Sequence, residues 1–317
     1  MNLARIAIGL TLLLAMSPPV QAETLGYAES VDQLVKDCGN DIAKSCKSVN
    51  FGGGRMQQCL AQAGVSASCK TSVAALQALL QKRAAARSAV SRVCDTDIRR
   101  LCAGVQAGDG NLMECFYKTK SSVSPQCRQA VADAGYEVRL APASSGAPIQ
   151  LSSANLVDSL QGIEGASAAI SASSLRQLAA QAVNDPSRTN RMNRPPLTDQ
   201  LEKLAQLTIA VQFDLNSARI RPDSFRALGL MADALYHPYL QGYRFLVIGH
   251  ADAKGDRLHN LKLSQQRAEA IREALINPFG IAASRIEAVG LGEEQLLNRS
   301  NPEAAENRRV QLINIGK

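Results

Sequence analysis

Between Gly249 and Gly255 the chain reads Gly-His250-Ala251-Asp252-Ala253-Lys254-Gly, with glycines placed to suit a tight, exposed loop. His259 and Asn260 follow, then Leu263-Ser264-Gln265-Gln266-Arg267-Ala268. Three chemistries are compatible with these residues. His250, Asp252 and His259 could form a metal or general-base site. Asp252 and Arg267 could form a plain surface salt bridge. They could also face each other across a groove and hold a zwitterion, with carboxylate on ammonium and guanidinium on carboxylate. Read as the N-cap of a helix, Ser264 places Arg267 in the first turn, where a cation opposes the helix dipole. That arrangement would call for an anionic ligand at the helix N-terminus.

These residues must be positioned by a regular scaffold, and the sequence from Leu207 onwards supplies one. Leu207–Phe213 is a strand candidate, and Phe225, Leu228, Met231, Ala232 and Leu235 recur at helical spacing. Phe245–Ile248 is a continuous apolar run of the kind found in a fully buried strand. Ala268, Ile271 and Leu275 share one helical face, and Ile286–Val289 and Val310–Ile315 complete the strands. Helices alternating with strands, and then two strands in succession, predict an α+β sandwich with the helices on one sheet face.

All eight cysteines lie between Cys38 and Cys127. Cys38, Cys46, Cys59 and Cys69 are spaced by 8, 13 and 10, while Cys94, Cys102, Cys115 and Cys127 are spaced by 8, 13 and 12. The sets begin 56 residues apart, and Asp41-Ile42 recurs as Asp97-Ile98. One helical hairpin is therefore used twice, over residues 38–69 and 94–127. The spacings are too wide for the close pairs of a structural zinc site, so disulfides are expected. Nested pairs suit antiparallel helices, although four cysteines allow three connectivities.

Residues 1–22 read as a secretory signal peptide: Arg5, the apolar run Ile6–Met16, and Val20 and Ala22 before a cleavage site at Glu23. An exported chain is free to form disulfides. Residues 23–140 make up the cysteine-rich helical module, and 199–317 a separate domain. Residues 141–198 are an Ala/Ser/Pro-rich linker with short helices, a composition that would let the two modules move independently. The net charge of +7 is spread, with 15 Lys+Arg against 11 Asp+Glu in residues 23–140 and no basic run. Nucleic acid is therefore not an expected partner. No later segment is apolar enough to span a membrane, and residues 23–198 lack the alternation of a transmembrane β-barrel.

Phe213 with Ser217 and Ile220, Gly249–Gly255, Asn260-Leu-Lys-Leu263-Ser264-Gln-Gln-Arg267-Ala268, Gly290-Leu-Gly292-Glu293 and Asn307-Arg308-Arg309-Val310 resemble the OmpA-like C-terminal domain family over residues 205–315. The resemblance implies a βαβαββ two-layer fold and noncovalent peptidoglycan binding without catalysis or cofactor. It gives Asp252 and Arg267 the ammonium and carboxylate of diaminopimelate in the stem peptide. Asn260 and Leu263 would shape the groove, and Arg308 would stand at its rim. Ala251 departs from the family, which usually has threonine there. The cysteine spacing resembles a repeat first described in a Golgi sialoglycoprotein, which implies a disulfide-bonded helical module and no particular ligand. The expected protein is thus a non-enzymatic envelope component, in the periplasm or associated with the outer membrane of a Gram-negative bacterium, that tethers the module at the wall. The alternative is an adhesin or receptor-like protein whose main ligand, an envelope protein or glycan, binds the repeats.

Overall fold

The computed structural model describes residues 26–108, 110–136, 153–161, 171–184, 201 and 204–317. The expected signal peptide and the proline-rich stretch 185–196 lie outside the described residues.

The N-terminal part is helical: α1 (Tyr27–Ser45), α2 (Arg55–Gln62), α3 (Ala67–Val93), α4 (Asp95–Leu101), α5 (Asn111–Lys118) and α6 (Pro125–Asp133). Its four disulfides are nested in pairs, Cys38–Cys69 around Cys46–Cys59 and Cys94–Cys127 around Cys102–Cys115. The repeated Asp has one task in both units. Asp41 Oδ2 accepts from the Ser66 backbone N–H and hydroxyl (3.2 and 2.7 Å), and Asp97 Oδ2 does the same with Ser124 (3.1 and 2.5 Å). Each serine in turn N-caps the helix carrying the last cysteine of its repeat. A polar relay therefore fixes the hairpin next to its outer disulfide.

The C-terminal part contains β1 (Gln206–Ile209), α9 (Phe225–Leu235), β2 (Phe245–His250), α10 (Arg257–Ile276), β3 (Ile286–Gly292) and β4 (Val310–Asn314). The strand order is β1-β4-β2-β3, with β2 and β3 parallel and the other pairings antiparallel. This is the α+β, βαβαββ arrangement expected from the sequence. The first strand is shorter than expected. Beyond Ile209 the chain leaves the sheet, and Phe213 bridges only to Ile220.

Two features depart from the sequence reading. First, both sheet faces are covered. Phe245, Val247 and Ala288 face the core beneath α9 and α10. Leu246, Ile248, Val289, Leu291 and Ile313 pack against a further helix, α8 (Ala172–Val183), which lies in the stretch read as linker. Its Ala172, Leu175, Ala179 and Ala182 form an apolar stripe at helical spacing. At its N-terminus, Ala172 N–H donates to the Glu287 carboxylate (3.2 Å), and Arg176 donates to Ala288 O (2.6 Å). A shorter helix, α7 (Ser153–Leu160), adds Leu156, Val157 and Leu160 to the first core.

Second, the cysteine-rich module does not stand apart. One core contains Tyr27, Val31, Phe51 and Met56 of the cysteine-rich module together with Phe225, Met231, Ile271 and Phe279. Helix α1 has no side-chain cap of its own. Its first N–H groups, from Tyr27 and Ala28, instead donate to the Asp233 carboxylate of α9 at 2.9 and 3.0 Å. Gly229 of α9 lies against the Ala28 backbone, where a Cβ would come within 2.6 Å of Ala28 Cα. Independent movement of the two parts would have to open this buried contact.

Candidate functional site

Helix α10 begins earlier than the sequence suggested. Asp256 is its N-cap and accepts from His259 N–H at 2.7 Å. Ser264 is interior and fully buried. Its hydroxyl donates to Leu261 O (2.9 Å) and accepts from Gly292 N–H (2.8 Å). Arg267 therefore sits about three turns into the helix. Arg267 is thus not at a helix N-terminus, contrary to the expectation from Ser264, and free helix N–H groups do not join it in binding an anion. Glycines bring this helix close to the sheet. A Cβ on Gly290 would lie 2.0 Å from Gln265 N, and one on Gly249 would lie 2.3 Å from Ser264 O.

A groove of about 330 Å³ opens where the ends of β2 and β4 meet α10, lined by Phe213, His250, Arg267, Arg308, Arg309 and Val310 among others. The Arg267 guanidinium lies 5.0 Å from the Phe213 ring centroid, and its Nε donates to Ser217 O at 3.0 Å. Its two Nη groups have no protein partner among the described residues. Burial holds its pKa below the ordinary arginine value, as does the nearby Arg308, while Asp252 acts in the opposite direction.

Asp252 is positioned on the loop after β2. Its Oδ1 accepts from Lys254 N–H at 3.2 Å, and its Oδ2 is paired with Arg308. The simple Asp252–Arg267 salt bridge does not occur. Asp252, Arg267 and Arg308 lie together with one cation in excess, which favours a ligand bearing a carboxylate.

The loop is rigid for identifiable reasons. Asn260 is buried, and its Nδ2 donates to Asp252 O (3.1 Å), Lys254 O (3.1 Å) and Glu293 Oε2 (2.8 Å). Asn260 thus shapes the loop from behind. Leu263 is half-buried on α10. Asn307 is fully buried and ties the segment before β4 through Asn298 O, Asn301 O and Pro302 O, which brings Arg308 to the groove. His250 is buried, and neither ring nitrogen makes a well-formed hydrogen bond. Burial, with Arg309 beside it, pushes its pKa well below the ordinary histidine value, so it is neutral. His259 lies apart on the surface, its Nε2 2.6 Å from Asn216 Oδ1. Among the described residues no group of three or more His, Cys, Asp or Glu could hold a metal ion.

Residues 212–309 match the model of the OmpA family. This span is an OmpA family domain.

The relatives of this chain include outer membrane porin F of Pseudomonas aeruginosa, 31% identical over 34% of this chain and 31% of the porin. A second is the peptidoglycan-associated lipoprotein of Pseudomonas putida, 33% identical over 32% of this chain and 59% of the lipoprotein. The crystal structure of the peptidoglycan-associated lipoprotein from Burkholderia pseudomallei is 31% identical over 39% of this chain and 97% of its own, with a TM-score of 0.28. The chain thus spans about a third of the porin and about three fifths of the Pseudomonas lipoprotein.

Within the OmpA domain, Asn260 holds the loop that carries Asp252, Asp252 pairs with Arg308, and Arg267 lines the groove beside Arg308, whereas Leu263 is not among the residues that line the groove. The sequence reading missed the Asp252–Arg308 pair, because nothing in the spacing of residues 56 positions apart brings them together. It also missed Glu293 as a partner of Asn260, although Glu293 stands in one of the motifs that carry the family resemblance.

Proposed function

We propose that this protein binds peptidoglycan noncovalently through the groove of its OmpA domain. Asp252 receives the ammonium and Arg267 the carboxylate of a diaminopimelate side chain. The observation that carries this reading is a half-buried arginine whose Nη groups face an open groove without a partner, close to a loop carboxylate. Burial strengthens such a charge-assisted bond relative to one in open water. When the ligand's ammonium reaches Asp252, Arg308 is released and its guanidinium is free to join Arg267 on the ligand's carboxylates. Phe213 keeps one side of Arg267 dry, and Asn260 keeps the Asp252 loop from shifting. The names of the relatives, outer membrane porin and peptidoglycan-associated lipoprotein, agree with this reading and with a place in the Gram-negative envelope. Among the described residues no helix is long and apolar enough to cross a membrane. The cysteine-rich module is then held at the wall as a body docked on the binding domain.

The test is cosedimentation of the full chain with purified diaminopimelate-type sacculi. Wild type is expected in the pellet. Asp252→Ala and Arg267→Ala are each expected in the supernatant, with wild-type circular dichroism and thermal midpoints. Unchanged pelleting of both variants would refute the clamp.

A further inference from the structure

The loop that holds Arg267 is itself held from outside the OmpA domain. Between Phe213 and Ile220 the chain folds back on itself: Asp214 N–H donates to Arg219 O (3.1 Å), Ser217 N–H donates to Asp214 O (3.2 Å), and Phe213 bridges to Ile220. This loop supplies both contacts that orient the Arg267 side chain, the Ser217 carbonyl and the Phe213 ring.

Asn50, in the segment enclosed by the Cys46–Cys59 disulfide, reaches across to this loop. Its Nδ2 donates to Ala218 O at 2.9 Å, and its Oδ1 accepts from Ile220 N–H at 3.3 Å and from Phe51 N–H at 2.9 Å. The Asn50 amide therefore brackets the residues immediately after Ser217.

Asn50 is fixed by its neighbours. The Phe51 ring is buried 4.4 Å from that of Phe225 and 5.8 Å from that of Phe279. Arg55 makes a bidentate pair with Glu273 of α10 at 2.8 and 2.7 Å. Gly52 lies against α10, where a Cβ would come within 3.0 Å of Ala274 N. The second repeat has Gln106, Ala107 and Asn111 at the positions equivalent to Asn50, Phe51 and Arg55, and so lacks the aromatic plug and the ion pair. Only the first repeat is equipped for this contact.

We propose that Asn50 is a positioning residue for the peptidoglycan groove: the first cysteine-rich repeat sets the orientation of Arg267 by pinning the 213–220 loop. On this basis the repeat is a working part of the binding site as well as a passenger on it. The inference rests on the peptidoglycan reading for its ligand, but the coupling of Asn50 to Arg267 can be measured without any ligand.

The test uses the full disulfide-bonded chain with arginine-selective nitrogen labelling. Asn50→Ala is expected to shift the Arg267 Nε–H resonance, whose hydrogen bond to Ser217 O depends on the loop. It is also expected to weaken binding of a soluble stem tripeptide ending in meso-diaminopimelate by about threefold to tenfold, the scale of one lost hydrogen bond. In an Arg267→Lys background, which has no Nε–H for Ser217, Asn50→Ala should have no further effect on binding. Asn50→Asp keeps the two acceptor bonds and loses the donor bond to Ala218 O, so it serves if the alanine variant folds poorly and should shift the same resonance less. An unmoved resonance, or an equal loss of binding in the wild-type and R267K backgrounds, would overturn the proposal. A shifted resonance in a protein that binds no tripeptide even as wild type would instead refute the peptidoglycan reading and leave the coupling standing.

Discussion

Arg308 pairs with Asp252 across the mouth of the groove, with the arginine side chain half exposed and the carboxylate only 11% exposed. The groove therefore carries an internal counter-ion for the carboxylate that is expected to receive a ligand's ammonium. A ligand with only an amine must break this pair and leave both arginines without a new partner. One that also bears a carboxylate compensates them.

Arg308→Ala is accordingly expected to reduce selectivity. The preference for a tripeptide ending in diaminopimelate over one ending in lysine should fall by roughly tenfold, within the range of a charged hydrogen bond. Isothermal titration with the two peptides checks this. An unchanged ratio would mean that Arg308 takes no part in the choice.

Close backbone approach should make two glycines intolerant of even a methyl group. At Gly290 an added Cβ meets Gln265 N at 2.0 Å and Cα at 2.5 Å, so Gly290→Ala must push α10 off the sheet. Overpacking of this kind costs about 1–3 kcal/mol or more, and ligand binding should fall with it. Gly229→Ala acts elsewhere, on the Ala28 backbone. It should loosen α1 from α9 and raise hydrogen exchange of the Tyr27 and Ala28 amides while the sheet amides stay protected. Denaturant melts and exchange mass spectrometry separate the two outcomes.

Asp233 gives the docked helix a pH dependence of definite sign. Burial raises its pKa from 3.8 to about 6, opposed by the Ala28 and Tyr27 N–H groups and by Arg83, with Glu29 adding to the rise. Because the folded value is the higher one, its contribution to stability is fully present below pH 3.8 and is lost as pH rises through about 6. This carboxylate alone should make the protein on the order of 1 kcal/mol more stable at pH 5 than at pH 7. Asp233→Asn should lower overall stability by removing one of the two acceptors for α1 and should remove this part of the pH slope. Urea titrations of both proteins at the two pH values measure the difference.

The disulfides should differ in what their loss costs. Cys38–Cys69 closes a loop with a sequence separation of 31, and Cys46–Cys59 one of 13. Chain entropy then assigns about 3.7 kcal/mol to the first and about 3 kcal/mol to the second. Paired Cys→Ser variants should follow that order in denaturant melts. Loss of Cys46–Cys59 should also weaken peptide binding, since that loop carries Asn50.

Local chemistry was legible in the sequence wherever one residue's neighbours along the chain decide its role. The duplicated 8–13 cysteine spacing, the Asp41 and Asp97 positions, and the apolar spacing of α9 and β2 all follow from helix and strand periodicity. Asp252 and Arg267, 15 positions apart, were legible as candidate partners for a zwitterion, whereas a place for Asn260 beside them came only from the family resemblance. Ser264 is a good capping residue by type, so local sequence favours a helix start there. The actual cap, Asp256, lies eight residues earlier, and Ser264 is occupied by Gly292 of β3. Short helices were legible in residues 141–198 and form as α7 and α8, but an Ala/Ser-rich composition of little intrinsic hydrophobicity gave no sign that α8 would cover a sheet face. This helix becomes a buried layer because Leu246, Ile248 and Val289 leave the second sheet face apolar. The pairing of Asp252 with Arg308, of Asp233 with the α1 N-terminus, and of Asn50 with the 213–220 loop joins residues 56, about 205 and about 170 positions apart. Contacts of that range carry no periodic signal, because they arise only when packed surfaces bring unsatisfied polar groups face to face. The sequence by itself determined that the cysteines form two sets of four on a repeated unit, because that follows from spacing along the chain, and left their pairing to the structure. The tertiary structure alone decided that the cysteine-rich module and the OmpA domain share one core, since burial of Phe51, Tyr27 and Asp233 depends on both being present.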